Sequence, residues 1–165
     1  MAEATSIAIR AGRDSDAEQL IELVRSAWSE YPDIVLEVEA EVPELRAIAT
    51  FFAERAGKFW VAERQGRVVG SVGTLPAADP RGVELRKLYV ARAERRQGLG
   101  SRLCSLVEDE ARDREAAFVD LWTDTRFTDA HRLYEARGYV RGPTTRELHD
   151  LSCTVEFYYR KELRG

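Results

Sequence analysis

The sequence predicts one α/β domain with a mixed sheet, its elements running β-α-α-β-β-β-α-β-α-β-β. Three observations carry that expectation. Short runs rich in β-branched and aromatic residues alternate with stretches of helical spacing, and no internal repeat or low-complexity tract interrupts them. The 165 residues, 44% apolar and 33% charged, suffice for one core and are short for two, so a single domain is expected over 1–165. At Lys87–Ser101 an apolar strand passes through an arginine-rich turn with two glycines and then into a helix pattern.

Composition narrows the function classes. No apolar run approaches the roughly 20 residues that span a bilayer, and Met1–Arg10 lacks the apolar stretch of a signal peptide. Cys104 and Cys153 form no CxxC, which points to a reducing compartment and away from a sulfur-rich metal site; both read as small core residues. A cytoplasmic protein without metal or membrane partner is the expectation. The net charge of −4 disfavours nucleic acid.

Taken in order, Ser6–Arg10 is a short first strand. Ser15 and Glu18 have the spacing of a capping box, and Ala17, Leu20, Ile21, Val24, Ala27 and Trp28 follow at helical intervals. Tyr31-Pro32-Asp33 ends that helix, and an acid-rich connection with Glu37, Glu39, Glu41 and Glu44 follows. Such clusters are usually solvated surface; the sharper reading is a field that attracts cationic substrates. A second helix is expected over Pro43–Arg55, with Gly57 near its end. Lys58–Glu63 and Arg67–Leu75 read as a hairpin about Gln65-Gly66, and Val83–Val90 as the strand entering the glycine turn. Leu99, Leu103, Leu106 and Val107 make one buried helical stripe, and Ala117–Trp122 is a strand. The next helix carries Ala130, Leu133, Tyr134 and Arg137 and stops at Gly138, with His131 on its surface. Tyr139–Arg141 and Thr154–Tyr159 are the last strands, separated by Gly142-Pro143 and a loop.

A strand, a glycine turn and a helix N-terminus together present free backbone N–H groups to an anion such as pyrophosphate. Side chains at Gly98 and Gly100 would obstruct that approach. The third glycine of a dinucleotide fingerprint is missing, and Ser101 stands where a P-loop needs lysine. Arg95-x-x-Gly98-x-Gly100 instead resembles the acyl-CoA signature of the GNAT superfamily of N-acetyltransferases. Ala130-His131-Arg132-Leu133-Tyr134-Glu135-Ala136-Arg137-Gly138-Tyr139 resembles that superfamily's second motif, and it follows the first after one helix and one strand.

The resemblance implies acetyl-CoA as co-substrate and direct transfer to an amine. Leu88, Tyr89 and Val90 would meet the pantetheine arm and thioester between splayed fourth and fifth strands. Arg95, Arg96, Gln97, Gly98, Leu99, Gly100 and Ser101 would hold the pyrophosphate. Tyr134 occupies the position of the general acid; a phenol of pKa about 10 stays protonated at neutral pH and suits a thiolate leaving group. As a residue on an amphipathic helix it also reads as a core aromatic. Glu84 is the first choice of base, with His149 and Asp150 second, and an arginine-paired carboxylate is an equal reading of Glu84. Trp28, Tyr31, Trp122 and His149 would border the acceptor, a small amine, cationic if the acidic connection steers it. A protein N-terminus or lysine is the runner-up acceptor, and a non-catalytic acyl-CoA sensor is the reading of another class. A homodimer is left open. The chain departs from the family pattern at Phe127, where many members carry a cofactor-contacting asparagine.

Overall fold

The computed structural model describes residues 6–163. The readings that concern Met1–Thr5 and the last two residues therefore lie outside the described part.

Seven strands form one mixed sheet in the order β1-β2-β3-β4-β5-β7-β6: β1 Ala8–Ala11, β2 Lys58–Arg64, β3 Arg67–Pro76, β4 Gly82–Val90, β5 Phe118–Asp124, β6 Val140–Glu147 and β7 Val155–Glu162. All neighbours are antiparallel except β4 and β5. Those two pair only from Gly82–Glu84 to Phe118–Asp120 and then part, so the splay between the fourth and fifth strands is present. The opening follows from β4 itself. Lys87 has φ 56, and the register with β3 shifts between Ser71 and Gly73, a bulge that twists the end of β4 away.

Among the described residues five α-helices cover the sheet: α1 Ala17–Trp28, α2 Val38–Glu41, α3 Ile48–Glu54, α4 Leu99–Asp113 and α5 Thr128–Ala136. On one face Leu99, Leu103, Cys104 and Val107 of α4 and Tyr134 of α5 pack against Val83, Leu85, Val119, Leu121 and Tyr159. On the other, Leu20, Leu23 and Val24 of α1, with Ile48 and Phe52 of α3, cover Phe59, Val61, Val68 and Leu75. Among the described residues no helix is long and apolar enough to cross a membrane.

Several local expectations are corrected. The first helix is entered through a 3-10 turn at Asp14–Asp16, and the capping carboxylate is Asp16, which accepts the Arg13 N–H at 2.8 Å, not Ser15. Arg10 grips Asp16 at 2.8 and 3.0 Å, so the cap is also a tether to β1. The helix expected over Pro43–Arg55 divides into a 3-10 turn at Pro43–Ala47 and α3. The break at Ala47 frees the α3 N-terminus to be capped from afar: Asp14 accepts the N–H and hydroxyl of Thr50. The strand expected to stop at Arg141 continues through Gly142-Pro143, a bulge on an edge strand where a missing N–H is tolerated.

Two single residues also differ. His131 is buried rather than superficial, its Nε2 2.9 Å from the Asp124 carbonyl and its ring stacked on Tyr159. Cys153 is exposed at φ 49 in the β6–β7 loop, whereas Cys104 is a core residue. Nothing in the helical spacing announced the first, because its burial comes from contacts with other elements, the Asp124 carbonyl at the end of β5 and the Phe157 and Tyr159 rings of β7.

Candidate active site

Two cavities meet at the opened end of β4. The outer cleft, about 440 Å3, runs along the N-terminus of α4. Leu88, Tyr89, Val90, Arg95, Arg96, Gly98, Leu99, Gly100 and Ser101 line it, together with Leu133 of α5 and the end of α1. The inner pocket, about 260 Å3, lies between β4, β5, the α1–α2 connection and the β6–β7 loop. Leu88, Tyr89 and Phe127 belong to both walls.

The outer cleft has the features of an anion site. The first backbone bond of α4 runs from Arg102 N–H to Gly98 O at 3.0 Å, which leaves the amides of Leu99, Gly100 and Ser101 without partners inside the helix. Arg96 at φ 64 and Gly98 at φ 81 curl the chain in front of them. A Cβ on Gly98 would project into open space, so the glycine serves backbone conformation and access to the cleft. Gly100 is close-packed instead: its Cβ would stand 3.0 Å from the Leu133 side chain, so a larger residue there would need that leucine to shift. These residues fit a pyrophosphate-bearing ligand.

Three of the expected cofactor-side residues behave differently from the sequence reading. Arg95 does not hold free charge: its Nη1 contacts both Glu30 oxygens at 2.8 and 2.9 Å and its Nε donates to the Val90 carbonyl. Gln97 turns away from the cleft and bonds Ala93 O at 3.4 Å. Ser101 accepts from Arg137 at 2.5 Å, and Arg137 also binds the buried Glu108 carboxylate, so a network joins α4 to the end of α5. Phe127, where the family often has asparagine, instead packs on Tyr31 with ring centroids 5.1 Å apart and forms part of the seam between the cavities.

The inner pocket brings Glu84, Tyr134, Trp28 and Trp122 together. Tyr134 is only 5% exposed and packs against the Tyr139 and Tyr159 rings, yet it also lines the pocket, so it is a core aromatic and a pocket residue at once. Burial pushes its phenol well above the ordinary value, and it is protonated throughout the physiological range. Burial likewise raises the proton affinity of Glu84, against the pull of Arg86 and with a further push from Asp120. The Arg86–Glu84 approach is loose, 3.6 Å.

The residues expected on the acceptor side are not all brought to one pocket. Tyr31 lines the outer cleft, not the inner pocket, because it lies past the end of α1 beside Phe127. His149, at φ 53 in the loop, is exposed beside Glu147 and lines neither cavity. Its neighbour Asp150 does line the pocket, but both its oxygens accept from Thr154, at 2.7 Å each; despite burial these bonds hold its pKa down, which makes it a poor base. Sequence reasoning missed Arg146 and Glu156, which enter the pocket from β6 and β7; Arg146 lies 4.3 Å over the Trp122 ring and 2.7 Å from Glu156. Cys104, deep under α4, has its thiol pushed up to about 12 by burial, unsuited to a nucleophile.

Residues 18–139 match the model of the Acetyltransferase (GNAT) family, most of the chain including both cavities' central elements. The chain belongs to the GNAT acetyltransferase family. Human N-acetyltransferase 8 is 35% identical over 123 residues, covering 72% of this chain and 52% of that protein. The chain thus spans about half the length of the curated relatives it matches. A GNAT-family acetyltransferase structure from Staphylococcus aureus superposes with a TM-score of 0.81 at 22% identity, covering 96% of this chain and 100% of that one. The PaiA N-acetyltransferase of Thermoplasma acidophilum, solved in complex with coenzyme A, gives 0.76 at 21% identity, with 95% and 99% covered. At these identities the structures establish the GNAT fold.

Proposed function

We propose that the protein transfers an acetyl group from acetyl-CoA to a small, cationic primary amine by direct attack. The observation that carries this reading is the junction of the two cavities: a cleft rich in free helix amides opens at Leu88, Tyr89 and Phe127 onto a pocket holding Glu84 and Tyr134. Acetyl-CoA supplies the acetyl group as an activated thioester. The α4 amides and Arg96 would bind its phosphates, and the unpaired edge of β4 beyond Glu84 would orient its arm. Glu84 takes a proton from the acceptor ammonium, whose pKa near 10 otherwise keeps the nitrogen lone pair blocked. As the C–N bond forms and the C–S bond breaks, Tyr134 offers its hydroxyl proton to the departing sulfur, and the second proton shed by the new amide nitrogen restores the phenol.

The preference for a cationic acceptor rests on the pocket's charge. Its lining includes Glu41, Glu44, Glu84, Asp124, Asp150 and Glu156 against Arg86, Lys87 and Arg146. The outer cleft has the reverse bias, with Arg95, Arg96 and Arg132 against Glu30 and Asp129. An anionic ligand and a cationic one are thereby sorted to adjacent chambers.

The experiment is incubation with acetyl-CoA and a panel of polyamines, arylalkylamines, amino acids and peptides with free N-termini or lysines, following released thiol. Turnover confined to small amines is the expected result. Release with peptides alone would favour a protein acceptor, and tight cofactor binding without turnover of any amine would favour a sensor.

A further inference from the structure

Asp120 is 8% exposed, and its Oδ1 has no hydrogen-bond partner. Its Oδ2 accepts from the Tyr158 hydroxyl at 2.8 Å. A half-satisfied buried carboxylate is costly in the middle of a strand and calls for a reason. The sheet register supplies one. Glu84 and Asp120 are partners at the last paired position of parallel β4 and β5, so their side chains rise from the same face on strands about 4.8 Å apart. Glu84 reaches the inner pocket and Asp120 does not.

Resting on the reading of Glu84 as the base, we infer that Asp120 is its positioning residue, a second carboxylate behind the pocket wall that holds Glu84 ready to accept the acceptor's proton. The acceptor's N–H bond breaks and an O–H bond forms on Glu84, directly or through one water. The pair then carries one negative charge instead of two, so the step relieves repulsion in a poorly solvated place. The proton leaves Glu84 for solvent after transfer, and the pair returns to its starting charge. Burial, opposed by the Tyr158 hydrogen bond, raises the proton affinity of Asp120 as well.

The other groups facing this pair moderate the coupling without cancelling it. Arg86 on β4 and Arg146 on β6 draw Glu84 down, and Glu156 on β7 pushes it up. Arg160 on β7 acts on Asp120 in the first sense, and Asp79, before β4, in the second. Tyr158 stays protonated beside Asp120, burial and that carboxylate pushing it up to about 12.

The test is a 13C NMR titration of the side-chain carboxyls in the ligand-free protein, with the Glu84 signal assigned by its loss in Glu84→Gln. In Asp120→Asn the neighbouring charge is gone while the amide oxygen can still accept from Tyr158. The Glu84 midpoint should fall by about half to one pH unit. Tyr158→Phe leaves the ring and removes the bond that favours ionised Asp120. It should lower the Glu84 midpoint in the same direction, and it carries the test if Asp120→Asn does not fold. An unchanged Glu84 midpoint in a folded variant overturns the coupling. The base reading is judged separately, from the pH dependence of kcat/KM with the best amine of the panel. If Glu84→Gln keeps the acidic limb, Glu84 is not the base and the inference falls with it. If Glu84→Gln abolishes the limb and Asp120→Asn moves it to lower pH, both stand.

Discussion

The outer cleft and the inner pocket share three residues, yet they are assembled in different ways. The cleft's Arg95–Ser101 wall is one continuous piece of chain, whose shape comes from local backbone conformation and the start of one helix. The pocket combines the Glu84–Tyr89 run of β4 and the end of β5 with residues from α1, the α1–α3 connection, α5, β6, β7 and their loops. Its two covering segments meet through side chains, with the Ser152 hydroxyl accepting the Val35 N–H at 2.8 Å and Glu41 accepting that of Leu151 at 3.3 Å. A ligand-binding surface made of backbone amides tolerates much sequence change around it. One made of side chains from distant elements can be re-specified by any of them, which fits a common donor and a particular acceptor.

The comparison breaks most sharply at Tyr134. Tyr134→Phe keeps the ring between Tyr139 and Tyr159 and removes only the hydroxyl. Under conditions where chemistry limits the rate, kcat should fall by roughly 10²- to 10⁴-fold, with cofactor affinity and acceptor KM little changed. Wild-type kcat in this variant would return Tyr134 to the core alone and assign the thiolate's proton to water or another group.

Gly98→Val attacks the other chamber. A β-branched residue at φ 81 is strained, by about 1–2 kcal/mol, and its side chain would enter the space in front of the α4 amides. Acetyl-CoA affinity by calorimetry should weaken roughly 10- to 100-fold, an energy of about 1.4–2.7 kcal/mol, while thermal melting confirms a folded protein. Unchanged affinity in a folded variant would mean that the phosphates bind elsewhere.

The smallest effect tests the charge contrast between the chambers. Of the acidic residues between the first helices, Glu37 is exposed and Glu39 pairs with Arg46, whereas Glu41 lines the pocket. Glu41→Gln should therefore lower kcat/KM for a polyamine about two- to fivefold at low salt, and the difference should shrink as salt is added. Glu39→Gln should change nothing measurable. Equal rates for wild type and Glu41→Gln at low salt would make the acidic stretch ordinary solvated surface.

Much of the fold was legible because its signals are local. The strands flanking Gln65-Gly66, the stripe on α4 and the stop at Gly138 each depend on spacing within one element, and each is where the sequence indicates. The glycine turn into α4 was legible for the same reason. What escaped were features set by contacts between elements: Asp14 capping α3, Arg95 held by Glu30, and His131 sealed between β5 and β7. Tyr31 lies in the outer cleft and His149 lines neither cavity, because nearness in sequence to an acceptor-bordering segment does not say which way a loop side chain turns.

By itself, then, the sequence determined the order of the strands and of the longer helices, the glycine-turned helix N-terminus and the family, since periodicity and backbone conformation are written within a dozen neighbouring residues; the short α2 at Val38–Glu41, read as a connection, escaped it. Only the tertiary structure decided which carboxylates enter the pocket, how closely Leu133 packs on Gly100 and how Asp120 comes to stand beside Glu84. Glu84 and Asp120 are separated by a whole helix in the chain, and no local pattern encodes a strand register. That register follows from the collective burial of both sheet faces, where a slip of one residue would turn Val83 and Leu85 out of the core and Glu84 into it.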